Sequence, residues 1–260
     1  MAVPRCYCPQ LPLQTGVAFA LDSAESHHLT RVLRLREGAR VEVLDGKGGA
    51  LEAHVARVKG KDVLLEGVEA ARVETRQHAL GWIQALPKGK LLDGLIRQAV
   101  ELGVARIQPL LSQHSEVRLE ADDRRGLAKA ERWRAIAVEA LKQSGNRWLP
   151  RIEPIAGFAD WMQALSEAEA PDLRLVASLE AGTRPLLEVL EAVEPARCPE
   201  EVTLAIGPEG DFSAEEYAAL SEAGFRAVGL GQQVLRVDTA AVCALGVLRQ
   251  WLERVRTGSE

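Results

Sequence analysis

The sequence predicts an α/β protein in two parts: a small β-barrel with one helix, followed by a larger domain built on a parallel sheet. Three observations predict it. Residues 39–68 alternate apolar and polar positions and are broken by glycine-rich turns, the mark of β-hairpins. From residue 79 onward short apolar runs alternate with helical periods, which is the pattern of a parallel sheet covered on both faces. Several of those later runs end in glycine-rich loops, and in open parallel sheets ligands sit beyond the carboxyl ends of the strands.

Taken in order, DSAESHHLTRVLRL reads as a helix capped by Asp22 or Ser23. RVEVLDG, ALEAHVARV and VLLEGV are strands separated by turns at Gly46–Gly49 and Lys59–Asp62. EAARVETRQHA (69–79) has no core face and reads as a linker. ALGWIQALP is then a buried strand. KGKLLDGLIRQAVELGV is a helix with Leu91, Leu92, Leu95, Ile96, Ala99 and Val100 on one stripe, closed by Gly103. ARIQPLL is a strand, and DRRGLAKAERWRAIAVEALKQSG a long helix ending at Gly145. DLRLVASL, EVTLAI and FRAVGL are further strands. Helices fit RPLLEVLEAV, SAEEYAALSEAG and DTAAVCALGVLRQWLERV. The apolar face of the last (Ala241, Leu245, Leu248, Trp251, Leu252, Val255) suits core or a dimer seam.

At 260 residues, 47% hydrophobic and 27% charged, the composition is that of a globular protein. It has no run long enough to span a membrane and no apolar signal-peptide core, so the expected location is the cytoplasm. Cys6, Cys8, Cys198 and Cys243 form neither a disulfide framework nor a zinc-ribbon spacing, and no metal is expected. The net charge of −5 conceals two basic stretches. Residues 27–61 hold eight Lys/Arg against four acids, and residues 118–151 nine against five. They suit a localised phosphate contact, although two solvated surfaces fit the charge equally.

The distinctive strand exits are SLEAGT (178–183), GPEGDF (207–212) and GLGQQVLRVDTA (229–240). Glycine lets backbone approach a ligand closely, and Pro208 stiffens the loop between its glycines. Such loops suit an adenine edge or a ribose and hold few cations for a triphosphate. No Walker loop or G-x-S-x-G is present, and His27-His28 lacks metal-ligand spacing. Gly229-Leu230-Gly231 begins like a dinucleotide fingerprint, but Val234 stands at the third glycine position. Ser213-Ala-Glu-Glu216 is a capping box; Asp238 is read equally as a helix cap or a catalytic group.

GPEGDFS after a buried strand, LGQQVLRVDTA before the final helix, LPKGKLLDGLIRQAVELGV, RWRAIAVEALKQSGN and HHLTRVLRL occur in an order that resembles the RsmE family. These are the bacterial ribosomal RNA small subunit methyltransferase E proteins. The resemblance covers nearly the whole chain. It implies a PUA-like β-barrel over 1–72 and a SPOUT-type α/β domain with a trefoil knot over 78–260. It further implies a homodimer, S-adenosylmethionine as methyl donor, and methylation of uracil N3 in 16S rRNA of the small ribosomal subunit. Donor binding would fall to Leu179, Gly207, Pro208, Glu209, Gly210, Leu230, Gly231, Val234, Leu235, Arg236 and Thr239. The chain departs from the family at Asp211, where a second glycine is common, at Asp238, where Glu is common, and at Gln113-His114-Ser115, which stands for Glu-Arg-Ser.

Uracil N3 is a poor nucleophile while protonated, so the reaction needs a proton acceptor or a group stabilising charge on O2 and O4. Arg236 is the first choice for charge stabilisation, and Asp238 for accepting the proton or orienting Arg236. Arg31, Arg34 and Arg36 on the barrel side, with Lys88 and Arg147 near the catalytic face, are expected to grip RNA. Another SPOUT enzyme acting on a tRNA ribose or base, a non-catalytic RNA-binding assembly factor, and more remotely a Rossmann oxidoreductase stay open on sequence.

Overall fold

In the computed structural model the described residues are 3–12, 15–76, 78–116, 124–167, 173–194 and 199–257, without the side chains of 124, 125, 256 and 257. Cys198 and the start of the second basic stretch (118–123) lie outside them. The chain opens with β1 (Arg5–Tyr7), β2 (Ala18–Ala20) and α1 (Ser23–His27), which runs directly into a π-helical turn at His28–Val32. Of the two expected caps the chain uses Asp22, whose Oδ1 accepts the Glu25 N–H at 2.8 Å. The alternating segment forms β3 (Arg40–Leu44), β4 (Gly49–Lys59) and β5 (Asp62–Gly67) as antiparallel neighbours. The tract read as a linker contributes β6 (Arg72–Val73), paired with β4.

The first sheet runs β1-β3-β4-β5-β2, with β1 parallel to β3. Its period-two residues Val41, Val43, Leu51, Ala53, Val55, Val63 and Leu65 point to one side and close on Leu21, Leu29, Cys6 and Cys8. Both cysteines are free, and burial pushes each thiol up, so they serve as small apolar core residues.

The second part supplies β7 (Ala79–Ala85), α2 (Leu91–Glu101), β8 (Arg106–Leu111) and α3 (Arg124–Ser144). After these come β9 (Arg151–Ile152), β10 (Ala156–Gly157), α4 (Phe158–Glu167), β11 (Leu173–Ala177), β12 (Arg184–Pro185) and α5 (Leu186–Glu191). The chain ends with β13 (Glu201–Ile206), α6 (Ala214–Glu222), β14 (Arg226–Gly229) and α7 (Val237–Thr257). Every strand pairing recorded in this sheet is parallel, in the order β10-β8-β7-β13-β11-β14-β12, with β9 against β8. The chain builds outward from β7 to β10, then lays β11 at a distance, and only later inserts β13 between β7 and β11.

Continuous apolar runs in β7 and β13 follow from that central position, because both faces are covered. On one face Ile83, Ala85, Leu110, Val176 and Ala205 pack with Trp161 of α4, Phe212, Leu220 and Phe225. Trp161 meets Phe158 and Phe225 edge-on, with ring centroids 5.9 and 6.1 Å apart. On the other face α7 packs against α2, α5 and β13. Ala241, Leu245, Leu248, Trp251 and Leu252 are buried there, so this stripe is core.

Contacts group Met1–Arg76 with Val138–Leu149, and Gln77–Ala137 with Pro150–Glu260. The expected division, 1–72 against 78–260, misses the second segment of the first unit. Long-range bonds explain the difference. Arg5 donates to Lys142 O and Gln143 O at 3.2 Å each, Gly48 N–H to Arg147 O at 3.0 Å, and Leu149 N–H to Gly46 O at 2.9 Å. A helical period reports none of these partners.

Candidate functional site

The exits of β11, β13 and β14 converge on one pocket of about 790 Å³, within the usual range for small-molecule sites. The three distinctive loops of the sequence are its walls: Ala177–Thr183, Ile206–Asp211 and Gly229–Ala240 all contribute, with Leu91 from α2. Adjacency in the sheet brings them together, since β11 lies between β13 and β14.

The β13 exit is held tightly. Gln84, fully buried in β7, donates through Nε2 to Ala85 O at 2.8 Å and Gly207 O at 3.2 Å, with Ile206 O at 3.4 Å. A turn follows in which Asp211 N–H bonds Pro208 O at 3.0 Å. Here the glycine is a matter of space. A Cβ on Gly207 would lie 2.8 Å from Asp211 Oδ1 and 3.1 Å from both Asp211 Cα and Phe212 N. Ser213 and Glu216 then form the expected capping box, and Glu216 Oε1 also accepts the Gln113 N–H at 2.8 Å. Gly231 on the third loop has φ 132°, a conformation that side chains rarely adopt.

Of the residues expected to bind the donor, Leu179, Gly207, Pro208, Glu209, Leu230, Gly231, Val234, Leu235 and Arg236 line the pocket. Gly210 and Thr239 do not. Gly210 is turned toward His114, whose Cβ would lie 3.0 Å from a Cβ placed there. Thr239 follows Asp238 in the first turn of α7 and is exposed at the surface. Glu209 is on the wall, but its carboxylate accepts the Lys88 N–H, at 3.1 and 3.3 Å for its two oxygens.

Both catalytic candidates, Arg236 and Asp238, line the pocket. Arg236 is exposed and its guanidinium has no hydrogen bond or ion pair among the described residues. Asp238 Oδ1 accepts the Thr239 N–H at 2.9 Å. No ion pair joins it to Arg236 among the described residues, so it does not orient that side chain here. Nor is it the helix cap, since α7 begins at Val237.

Sequence reasoning missed Ser178, Glu180, Asp211, Gln232 and Gln233 as lining residues, and Gln84 and Tyr217 behind the walls. A signal for Gln84 existed: it is the lone amide in the apolar run of β7. Tyr217 gave none, because nothing local marks which face of α6 meets the loops.

Of the expected RNA contacts, Arg31, Arg34 and Arg36 are exposed together on and just after the π-helical turn. Arg147 belongs to the first unit and pairs with Glu74 at 2.6 Å. Lys88, on the loop after β7, pairs with Glu116 at 2.5 Å, which raises its pKa.

Charge tests what this pocket can hold. Among the described residues Glu180, Glu209, Asp211 and Asp238 line it against the single cation Arg236. A polyphosphate is disfavoured and a cationic ligand favoured. Leu179 and Val234, 61% and 78% exposed, offer apolar surface at the rim for a flat ring. Glycine-rich backbone, apolar rim and excess acid together fit an adenosine carrying a sulfonium.

The class of protein follows from two family models: an RNA methyltransferase domain with an attached PUA domain. A family model for the RNA methyltransferase domain matches residues 74–249, and one for the RNA methyltransferase PUA domain matches residues 21–66. The ribosomal RNA small subunit methyltransferase E of Synechocystis is 33% identical over 97% of this chain and 79% of its own. That of Bacillus subtilis is 28% identical over 94% of both. Among solved structures, the Neisseria gonorrhoeae methyltransferase E bound to S-adenosylmethionine superposes with a TM-score of 0.81 at 28% identity, covering 96% of this chain and 98% of that one. A Legionella pneumophila methyltransferase in complex with the same cofactor gives 0.84 at 28% identity, with the same coverage. The chain belongs to the ribosomal RNA small subunit methyltransferase E (RsmE) family.

Proposed function

We propose that the protein transfers the methyl group of S-adenosylmethionine to N3 of one uridine in 16S rRNA, acting as a cytoplasmic homodimer on the small ribosomal subunit. The observation that carries it is the acid-rich, glycine-walled pocket lined by Arg236, which has no ion pair among the described residues. Two relatives crystallised with the donor support the cofactor, and the names of the curated relatives support the RNA. In the described residues no helix is long and apolar enough to cross a membrane. The trefoil knot belongs to the same reading: β13 enters between strands already laid down, and the Gly229–Arg236 loop then leads into α7.

When bound, the donor supplies an electrophilic methyl group for in-line displacement, so the protein's task is positioning. Backbone at Gly207, Leu230 and Gly231 would hold the nucleoside, with Leu179 and Val234 against its ring. Uracil N3 is on the pairing edge, so the base must be unpaired to reach the site. Arg236 would stabilise negative charge on the base oxygens. Asp238, whose Oδ2 has no partner among the described residues, would accept the N3 proton. Arg31, Arg34 and Arg36 would hold phosphates.

The deciding experiment incubates the protein with labelled S-adenosylmethionine and small subunits lacking the modification, then identifies the nucleoside after digestion. One 3-methyluridine is the expected product. A methylated ribose or another base would replace the regiochemistry, and RNA binding without transfer would indicate an assembly factor.

A further inference from the structure

Among the described residues Asp211 is one of two non-glycine residues at positive φ, 59°, the other being Arg34. Such a backbone costs on the order of 1 kcal/mol and persists where the surroundings hold it. Here they do. Asp211 Oδ1 accepts the Tyr217 hydroxyl at 2.8 Å and the Phe212 N–H at 2.9 Å, and a ring nitrogen of His114 lies 3.0 Å from the Asp211 carbonyl oxygen. The Tyr217 hydroxyl is also 3.1 Å from Ala177 O at the exit of β11. One phenol proton therefore links two walls of the pocket. Tyr217 keeps it: burial pushes the phenol up, and the negative charge of Asp211 adds to this against a bond from Ser178.

This arrangement occupies Oδ1, while Oδ2 has no partner among the described residues and the side chain lines the pocket. A fixed, half-buried carboxylate with one oxygen unclaimed is a receptor for a cation. We propose that Asp211, locked by Tyr217, binds a positively charged group of the methyl donor. The proposal rests on the donor reading above. The donor carries two such groups, an α-ammonium and the sulfonium. S-adenosylhomocysteine keeps only the ammonium, and 5′-methylthioadenosine has neither.

Isothermal titration of the full-length protein with these three ligands tests it, comparing wild type with Asp211→Asn, Asp211→Gly and Tyr217→Phe. Asp211→Asn should weaken S-adenosylmethionine about tenfold and 5′-methylthioadenosine less than about twofold, the scale of one charge-assisted bond. Equal weakening of S-adenosylhomocysteine assigns the ammonium; its unchanged affinity assigns the sulfonium. Asp211→Gly, free of the φ strain, should show the same ligand pattern, and Tyr217→Phe the same at smaller amplitude. Equal loss for all three ligands, or no loss for the donor, overturns the proposal alone. Failure of the wild type to bind S-adenosylmethionine overturns the donor reading, and the proposal with it.

Discussion

Lys142 and Glu25 form a buried ion pair: Nζ and Oε1 are 2.7 Å apart, and the two side chains keep only 5% and 7% exposure. Glu25 Oε2 accepts the Tyr7 N–H at 3.0 Å, and Lys142 also meets Glu139 at 2.8 Å. One pair thus fastens α1, β1 and the end of α3 within the first unit.

Removing one partner should cost about 3–5 kcal/mol, because the other charge is left buried and unpaired. Lys142→Met and Glu25→Gln should each lower the urea midpoint strongly, while Glu25→Leu combined with Lys142→Met recovers much of the loss. Burial opposes the Lys142 charge, but its bonds to Glu139 and Glu25 outweigh this and raise its pKa above the usual 10.5. The contribution to stability is therefore complete below that pH and fades as pH rises through the higher folded value. Wild type should lose stability above about pH 10.5 more steeply than Lys142→Met does.

Gly207→Ala should weaken donor binding without unfolding the protein. Its Cβ would lie 2.8 Å from Asp211 Oδ1 and 3.1 Å from Asp211 Cα and Phe212 N, so the carboxylate has to move and the turn has to give by a few tenths of an ångström. Titration with S-adenosylmethionine should show at least a tenfold loss, on the order of 1.4 kcal/mol, with far-UV circular dichroism unchanged. Gly182→Ala meets no atom within 4 Å, but its φ of 83° is strained, and it should cost stability rather than close the pocket.

Arg236→Ala should lower turnover by about 100-fold or more and change donor affinity little, as expected of a group acting on developing charge. Arg236→Lys should recover only part, because an ammonium lacks the guanidinium fork. Single-turnover methylation with saturating donor separates the two effects, and near-normal rates would remove Arg236 from the chemistry.

RNA affinity should respond oppositely at two basic positions. Lys88 is held by Glu116, so Glu116→Gln should release its ammonium and tighten RNA binding, by about twofold at low salt. Arg34 has φ 54°, so Arg34→Gly should be neutral or mildly stabilising in thermal melts yet weaken RNA and flatten the salt dependence by about one counterion.

Most of the second sheet was legible because each strand is buried on both faces and each helix carries one apolar stripe. α4 goes unread in the sequence, although Phe158, Trp161, Met162 and Leu165 recur at helical spacing. The two-residue strands β6, β9, β10 and β12 left none, being defined by partners rather than by pattern. The glycine-rich loops that wall the pocket could be read directly, but not that their polar residues such as Ser178 and Gln233 line it. Those that hold the loops from behind, Gln84 through Gly207 O and Tyr217 through Asp211, depend on contacts across 123 and 6 residues and on which way each side chain points.

The place of β13 bears on the order in which a ribosome can deliver this protein. Its pairing joins Ile206 to Gln84, 122 residues earlier. Until residues 201–206 emerge, β7 and β11 each present an open edge toward the same gap, and a nascent chain is exposed to pairing with a neighbour. A chain stopped before β13 should accumulate as aggregates, whereas one stopped within the last turns of α7 should remain in solution. The pocket is completed in the same way, because its Leu230–Ala240 wall is synthesised only after every strand of the sheet.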